Sequence, residues 1–172
     1  MRLFFAILAA TLFLGAAHAQ TSETVEAVEN KEDVNVEEST TNVENVTINV
    51  TEIAEAIAKN GSAAIYGLEF AFNSAEILPA SEPVLEAMAS YLIGSPSQTS
   101  LLVGHTDNVG ELSVNLDLSQ KRSHAVLEAL VANYKIPQTQ LEAHGVGFLS
   151  PIAPNTTDDG RAKNRRVEMV PR

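Results

Sequence analysis

From residue 46 to the C terminus, the apolar residues switch repeatedly between a period of two and a period of 3.6. A strand shows one face at every second residue and a helix at every third or fourth, so this switching predicts strands interleaved with helices. Residues 46–50 (V-T-I-N-V) alternate and predict a first strand, and residues 52–59 predict a short helix stopped by Asn60-Gly61. Residues 64–72 are dense in apolar and aromatic side chains and predict a second strand, ended by Asn73-Ser74. Residues 83–93 predict a helix with Leu85, Met88 and Leu92 on one face and Pro83 in its first turn. Ser100–Gly104 predicts a buried strand. A long helix then starts at Leu116 or Ser119 and runs to Tyr134, with Val126, Leu127, Leu130 and Val131 as its apolar stripe. Residues 141–146 and 164–170 predict the last two strands. The resulting order, β-α-β-α-β-α-β-β, predicts helices packed on one face of a mixed sheet, an α+β sandwich.

The first forty-five residues lack this pattern. Arg2 precedes an apolar run from residue 3 to 14 and the small-x-small triplet Ala17-His18-Ala19. That run is too short to span a bilayer and reads as a secretory signal peptide over residues 1–19. Residues 20–44 hold eight acidic side chains and one lysine, a net charge of −7, with no leucine and no aromatic residue. Such a stretch buries too little surface to offset its ordering entropy, so residues 20–45 are expected to form an acidic disordered linker before a domain spanning 46–172. The chain contains no cysteine, which removes disulfides, thiolate chemistry and a lipid-modified cysteine. The excess of acid argues against nucleic acid as the main partner.

Two groups of residues could carry chemistry. Asp107 follows the apolar strand in G-H-T-D-N-V-G, and Arg122 lies fifteen residues on, in the first turns of the long helix. A carboxylate and a guanidinium in one crevice suit a zwitterion, since the planar fork of arginine matches a carboxylate and aspartate accepts from an ammonium. The same spacing equally suits a salt bridge that caps the turn, and aspartate is a common turn residue in its own right. The second group is Arg161, Lys163, Arg165 and Arg166, which reads either as a solvated strand edge or as part of a site. On a strand, Arg165 and Arg166 would point to opposite faces, leaving one of them for any given site. His105 with Asp107, joined by His124 or His144, could ligate a metal, but no H-x-x-x-H or C-x-x-C spacing supports this. No G-x-S-x-G elbow, phosphate loop or dinucleotide fingerprint is present, so neither a cofactor nor catalysis is expected.

Four segments in order, F-A-F-N-S-A-E-I-L-P (70–79), G-H-T-D-N-V-G (104–110), N-L-D-L-S-Q-K-R (115–122) and G-R-A-K-N-R-R-V-E (160–168), resemble the successive motifs of the OmpA-like peptidoglycan-binding domain. The resemblance runs from about Ile65 to Val170. It implies a β-α-β-α-β-α-β sandwich, no enzymatic activity, and a periplasmic, outer-membrane-associated protein. The implied partner is peptidoglycan, through the meso-diaminopimelate of its peptide stem; further envelope proteins would be secondary partners. The alternative is a periplasmic protein–protein adaptor that keeps the fold without binding the wall. By motif position, Asp107 would receive the ammonium and Arg122 the carboxylate of the diamino acid. Leu118 would pack beside the ligand, Thr106, Asn108 and Val109 would offer backbone groups, and Asn73 and Arg165 would line the pocket, while Asn115 would fix the turn. Many relatives carry F-D-F-D-S where this chain has Asn73 in F-A-F-N-S. Loss of that negative charge implies tuned rather than lost affinity.

Overall fold

A computed structural model describes residues 48–172; the expected leader (1–19) and acidic linker (20–45) lie outside the described residues. The first element is helix α1 (Val50–Asn60), where a strand was expected to end. Asn49 is its N-cap: its Oδ1 accepts from the amides of Thr51 and Glu52, both at 3.0 Å, and Glu52 Oε2 accepts from Asn49 N at 2.9 Å. This reciprocal capping box satisfies backbone donors that a helix start otherwise leaves unpaired, so Val50 begins a helix; residues 46–47 of the expected strand lie outside the described residues. Gly61 closes α1 in the left-handed region, at φ 78°, donating its amide to Ile57 O.

Strand β1 covers only Ala63–Ile65, much less than the apolar stretch suggested. Gly67, at φ 82°, turns the chain away, and residues 69–78 fold back as a loop. Ala71 N donates to Glu76 O and Leu78 N to Glu69 O, both at 2.9 Å, with Phe70 bridging Ile77. Asn73 sits near the tip at φ 50°, a conformation asparagine tolerates better than most L residues.

Helix α2 (Glu82–Gly94) begins with Pro83 in its first turn and buries Val84, Leu85, Met88, Ala89 and Leu92. Strand β2 (Ser100–Gly104) matches its expected bounds. Helix α3 (Leu112–Tyr134) starts earlier than the hydrophobic stripe suggested, because its first half buries Asn115, Ser119 and Ser123 rather than apolar residues. Strand β3 (Leu141–Gly145) follows a single 3₁₀ turn. Helix α4 (Asp158–Asn164) stands where the sequence predicts a loop and the start of a strand. Thr157 caps it by accepting from Gly160 N at 3.0 Å, and Asp158 and Asp159 in its first turn favour the positive end of its dipole. At seven residues, α4 is too short to display a helical period. The last strand, β4, is therefore confined to Val167–Pro171.

The sheet order is β1-β4-β2-β3, with β4 antiparallel to both neighbours and β2 parallel to β3. The observed order is thus α-β-α-β-α-β-α-β, an α+β fold on a mixed sheet. Ile65, Leu102, Val167 and Met169 on one sheet face pack against Ile53, Met88, Leu92, Val126 and Leu130 from the helices, all nearly inaccessible to solvent. Helix α3 lies very close to the ends of β2 and β3. A Cβ on Gly104 would stand 2.2 Å from Ser119 O, and one on Gly145 would stand 2.1 Å from Gln120 N. Gln120 also closes the outer edge of β3, donating to Ala143 O at 3.0 Å and accepting from Gly145 N at 2.9 Å. Among the described residues, no helix is long and apolar enough to cross a membrane.

Candidate functional site

The chain leaves β2 at Gly104 and must reverse within seven residues to enter α3. His105 N donates to Arg166 O and Thr106 N to Gly147 O, both at 2.9 Å, so the turn is pinned to the residue before β4 and to the loop after β3. Asp107 then uses Oδ1 to accept from Val109 N at 3.1 Å, the local bond of an aspartate turn. Gly110 takes φ 87°, and Asn115 Nδ2 closes the loop on Val109 O (2.8 Å) and Glu111 O (3.2 Å). Asp107 thus has one oxygen committed to the turn and the other available to a second partner.

That second oxygen does not meet Arg122. Asp107 Oδ2 accepts from Arg165 Nη1 at 2.7 Å, across 58 residues of sequence. Arg165 reaches it because α4 ends at Asn164, just before Arg165. Asn164 is fully buried: its Oδ1 accepts from Ile152 N and Ala153 N, and its Nδ2 donates to Ala153 O and Asn155 Oδ1. Gly160 presses α4 onto the same loop, where a Cβ would lie 1.8 Å from Pro154 O. Arg165 and Arg166 take different carboxylate partners and only Arg165 lines the cleft with Asp107, but both line a smaller cavity beside Arg122, so the expected division between opposite faces is not complete. Arg166 is buried and pairs with Glu168 Oε2 at 3.2 Å.

Arg122 projects from α3 into the same region. Its Nε donates to Ser74 O at 3.0 Å, and its guanidinium lies 4.9 Å from the centroid of the Phe70 ring. Its Nη1 and Nη2 have no protein partner among the described residues. Burial lowers its pKa, the charge of Arg165 lowers it further, and Asp107 offsets part of this; an arginine remains protonated nonetheless.

Asp107, Arg122, Asn73, Thr106, Val109, Leu118 and Arg165 all line one cleft of about 630 Å³. Asn108 is the one residue of the expected set that does not. The amides of Thr106 and Val109 are already engaged, the first by Gly147 O and the second by Asp107 Oδ1. The cleft also takes in residues that sequence reasoning did not assign to it. Arg161 joins it while donating Nη1 to Asn155 O at 2.8 Å and pairing with Asp158. Phe72, wholly exposed, lines the cleft with the exposed Val109 and Val114, so apolar side chains share it with the charged groups. That is the composition of a small-ligand site: polar groups fix orientation, and exposed apolar side chains offer surface that a ligand can cover.

The motif residues left over form a buried network behind the turn. His105 is 5% exposed, and its Nε2 lies 3.3 Å from Glu168 Oε2 without the geometry of a hydrogen bond. Glu168 accepts from Ser62 Oγ at 2.6 Å and from Arg166 Nη2. Burial lowers the His105 pKa to about 4, the charge of Arg166 acts in the same direction, and Glu168 only partly opposes them. The folded state therefore binds this proton less readily than the unfolded chain, whose histidine titrates near 6.5. The stabilisation is complete above pH 6.5 and is lost as pH falls towards 4. Between pH 7 and pH 5 the loss amounts to about 2 kcal/mol. Urea denaturation at the two pH values is expected to show it, with His105→Gln flattening the difference; equal wild-type stabilities would refute the assignment. His124 and His144 lie instead beside Glu128 and Glu142.

A family model described as the OmpA family matches residues 69–165, more than half of the chain. The chain belongs to the OmpA family. The match contains every charged residue of the cleft, Asp107, Arg122, Arg161 and Arg165, whereas α1, β1 and β4 lie outside it. Among OmpA-family relatives, YfiB of Escherichia coli K12 is 42% identical over 101 residues, covering 59% of this chain and 63% of YfiB. The peptidoglycan-binding protein ArfA of Mycobacterium tuberculosis is 37% identical over 103 residues, covering 60% of this chain and 31% of ArfA. The chain thus spans less than two thirds of these relatives. The crystal structure of the peptidoglycan-associated lipoprotein from Burkholderia pseudomallei superposes with a TM-score of 0.55 at 32% identity, covering 61% of this chain and 88% of that one.

Proposed function

We propose that this domain binds bacterial peptidoglycan non-covalently, by holding the free ammonium–carboxylate end of a diaminopimelate residue in the peptide stem. The observation that carries the reading is the open fork of Arg122 in the same cleft as Asp107, on a chain of the OmpA family. A diamino acid presents its amine and carboxylate on a single carbon. Arg122 Nη1 and Nη2 would take the carboxylate bidentately, and Asp107 Oδ2 would accept from the ammonium in competition with Arg165. Leu118 and Val109 would pack against the methylene chain, and Asn73 would contact the ligand from the loop tip. The name of the relative ArfA as a peptidoglycan-binding protein supports the same partner. The domain would act in the periplasm as a wall tether that organises the envelope, with the leader at residues 1–19 directing export.

Isolated, the stem end buries little surface, so micromolar-class affinity is expected, on the order of −8 kcal/mol at 1 μM. The test is co-sedimentation with insoluble peptidoglycan. The wild type is expected to pellet, free meso-diaminopimelate at millimolar concentration to release it, and Asp107→Ala to stay in the supernatant. Pelleting of wild type and variant alike, unaffected by the amino acid, would refute the assignment of the cleft. Release of soluble wall fragments over time would point to an enzyme.

A further inference from the structure

The charges of the cleft do not cancel. Its lining holds three guanidiniums, Arg122, Arg161 and Arg165, and one carboxylate, Asp107. Arg161 is paired with Asp158 and Arg165 with Asp107, which leaves Arg122 without an anionic partner. Glu69 lines a smaller cavity of about 270 Å³ beside Arg122 and Arg165, but it makes no ion pair with either. The two arginines sense each other, because the charge of Arg165 disfavours the charged form of Arg122.

A zwitterion cannot correct this imbalance, because it adds no net charge. Its carboxylate would satisfy Arg122, but its ammonium would take the oxygen of Asp107 that now serves Arg165. The positive excess would then move from Arg122 to Arg165. A ligand with one ammonium and two carboxylates removes it. Arg165 is suited to the second carboxylate: it is 47% exposed, so it can swing from Asp107, and its Nη2 and Nε have no protein partner among the described residues. By contrast, Asp107 is only 14% exposed and fixed by its turn, so the arginine is the partner free to move.

We infer that the cleft recognises a second carboxylate on the same peptide, held by Arg165 once the ligand's ammonium displaces it from Asp107. The inference rests on the wall-binding reading and extends it: the ligand is an acidic stem peptide, and amidation of the second carboxylate weakens binding. Two groups in a stem tripeptide could supply that carboxylate, the α-carboxylate of the γ-linked glutamate and the terminal carboxylate of the diamino acid.

The experiment titrates the full chain with L-Ala-γ-D-Glu-meso-diaminopimelate and with two monoamides, one at each of those carboxylates, by isothermal calorimetry. One monoamide is expected to bind the wild type about tenfold more weakly than the tripeptide, the worth of one charge-assisted contact. Arg165→Gln is expected to bind the tripeptide and that monoamide equally. If both monoamides bind the wild type as tightly as the tripeptide, the second-carboxylate inference is overturned while the wall-binding reading stands. If Arg165→Gln preserves the tenfold difference, Arg165 is not the group that holds it. If the tripeptide does not bind at all, the wall-binding reading falls first.

Discussion

Gly104→Ala is expected to lower the unfolding free energy by about 4 kcal/mol, among the larger effects a single methyl group can have. The added Cβ would stand 2.2 Å from Ser119 O and 3.0 Å from Ser119 C, and both are backbone atoms in the middle of a 23-residue helix. No rotamer change relieves such an overlap, so α3 must lift from the sheet. Ser119 holds the contact from the other side, its hydroxyl accepting from Gly147 N at 2.9 Å. Gly61→Ala is the appropriate comparison, because a Cβ there meets nothing within 4 Å. Only the strain of its φ of 78° remains, worth about 1 kcal/mol. Urea denaturation should rank Gly104→Ala far below Gly61→Ala, with an unchanged m-value. A Gly104 variant within 0.5 kcal/mol of wild type, a margin typical of neutral surface changes at roughly that size, would mean that α3 does not lie this close to β2. Because α3 also carries Arg122, any surviving Gly104 variant should bind wall peptide more weakly.

Arg122→Ala is expected to weaken binding of the stem tripeptide about 100-fold, or about 2.7 kcal/mol, since it removes both donors aimed at the ligand carboxylate. Arg122→Lys keeps the charge but loses the fork, and should fall between wild type and alanine. The alanine variant also loses the bond to Ser74 O and the stacking on Phe70, which together tie the 69–78 loop to α3. A thermal melt recorded beside the calorimetry separates the two effects: the loop contacts change stability, and the open fork changes affinity. Since the contacts are charge-assisted, the wild-type affinity should also fall with added salt. An alanine variant that binds within threefold of wild type would remove Arg122 from the carboxylate site.

The parts of the fold legible in the sequence were those where hydrophobic burial alone decides. Ser100–Gly104 reads as a buried strand and is one, and the apolar stripe of α3 at Val126, Leu127 and Leu130 packs into the core. The errors fall where local polar bonding overrides the pattern. At Val50, the last residue of the expected first strand, the capping box at Asn49 starts α1 instead, while residues 46–47 lie outside the described residues. Gly67 and the backbone bonds of residues 69–78 turned most of an apolar stretch into a loop. The start of α3 was indistinct because its buried face there is Asn115, Ser119 and Ser123, which carry no hydrophobic period. Thr157, followed by two aspartates, is the signal for α4 that the sequence carries.

The site divides in a similar way. The residue types and their motifs singled out Asp107, Arg122, Asn73, Thr106, Val109, Leu118 and Arg165, and these share one cleft. Which of them touch was not readable. Proximity in sequence suggested Asp107 with Arg122, whereas the ion pair joins Asp107 to Arg165, 58 residues further on. By itself, then, the sequence determined which segments are buried, where the chain can turn, and which ionisable groups the domain has to work with. Those properties follow from each residue's own chemistry and its near neighbours. Only the tertiary structure decided that the end of α4 reaches the turn after β2, so that Arg165 occupies Asp107 and Arg122 is left open. An ion pair forms between groups that packing brings within a few ångströms, and spacing along the chain does not measure that distance.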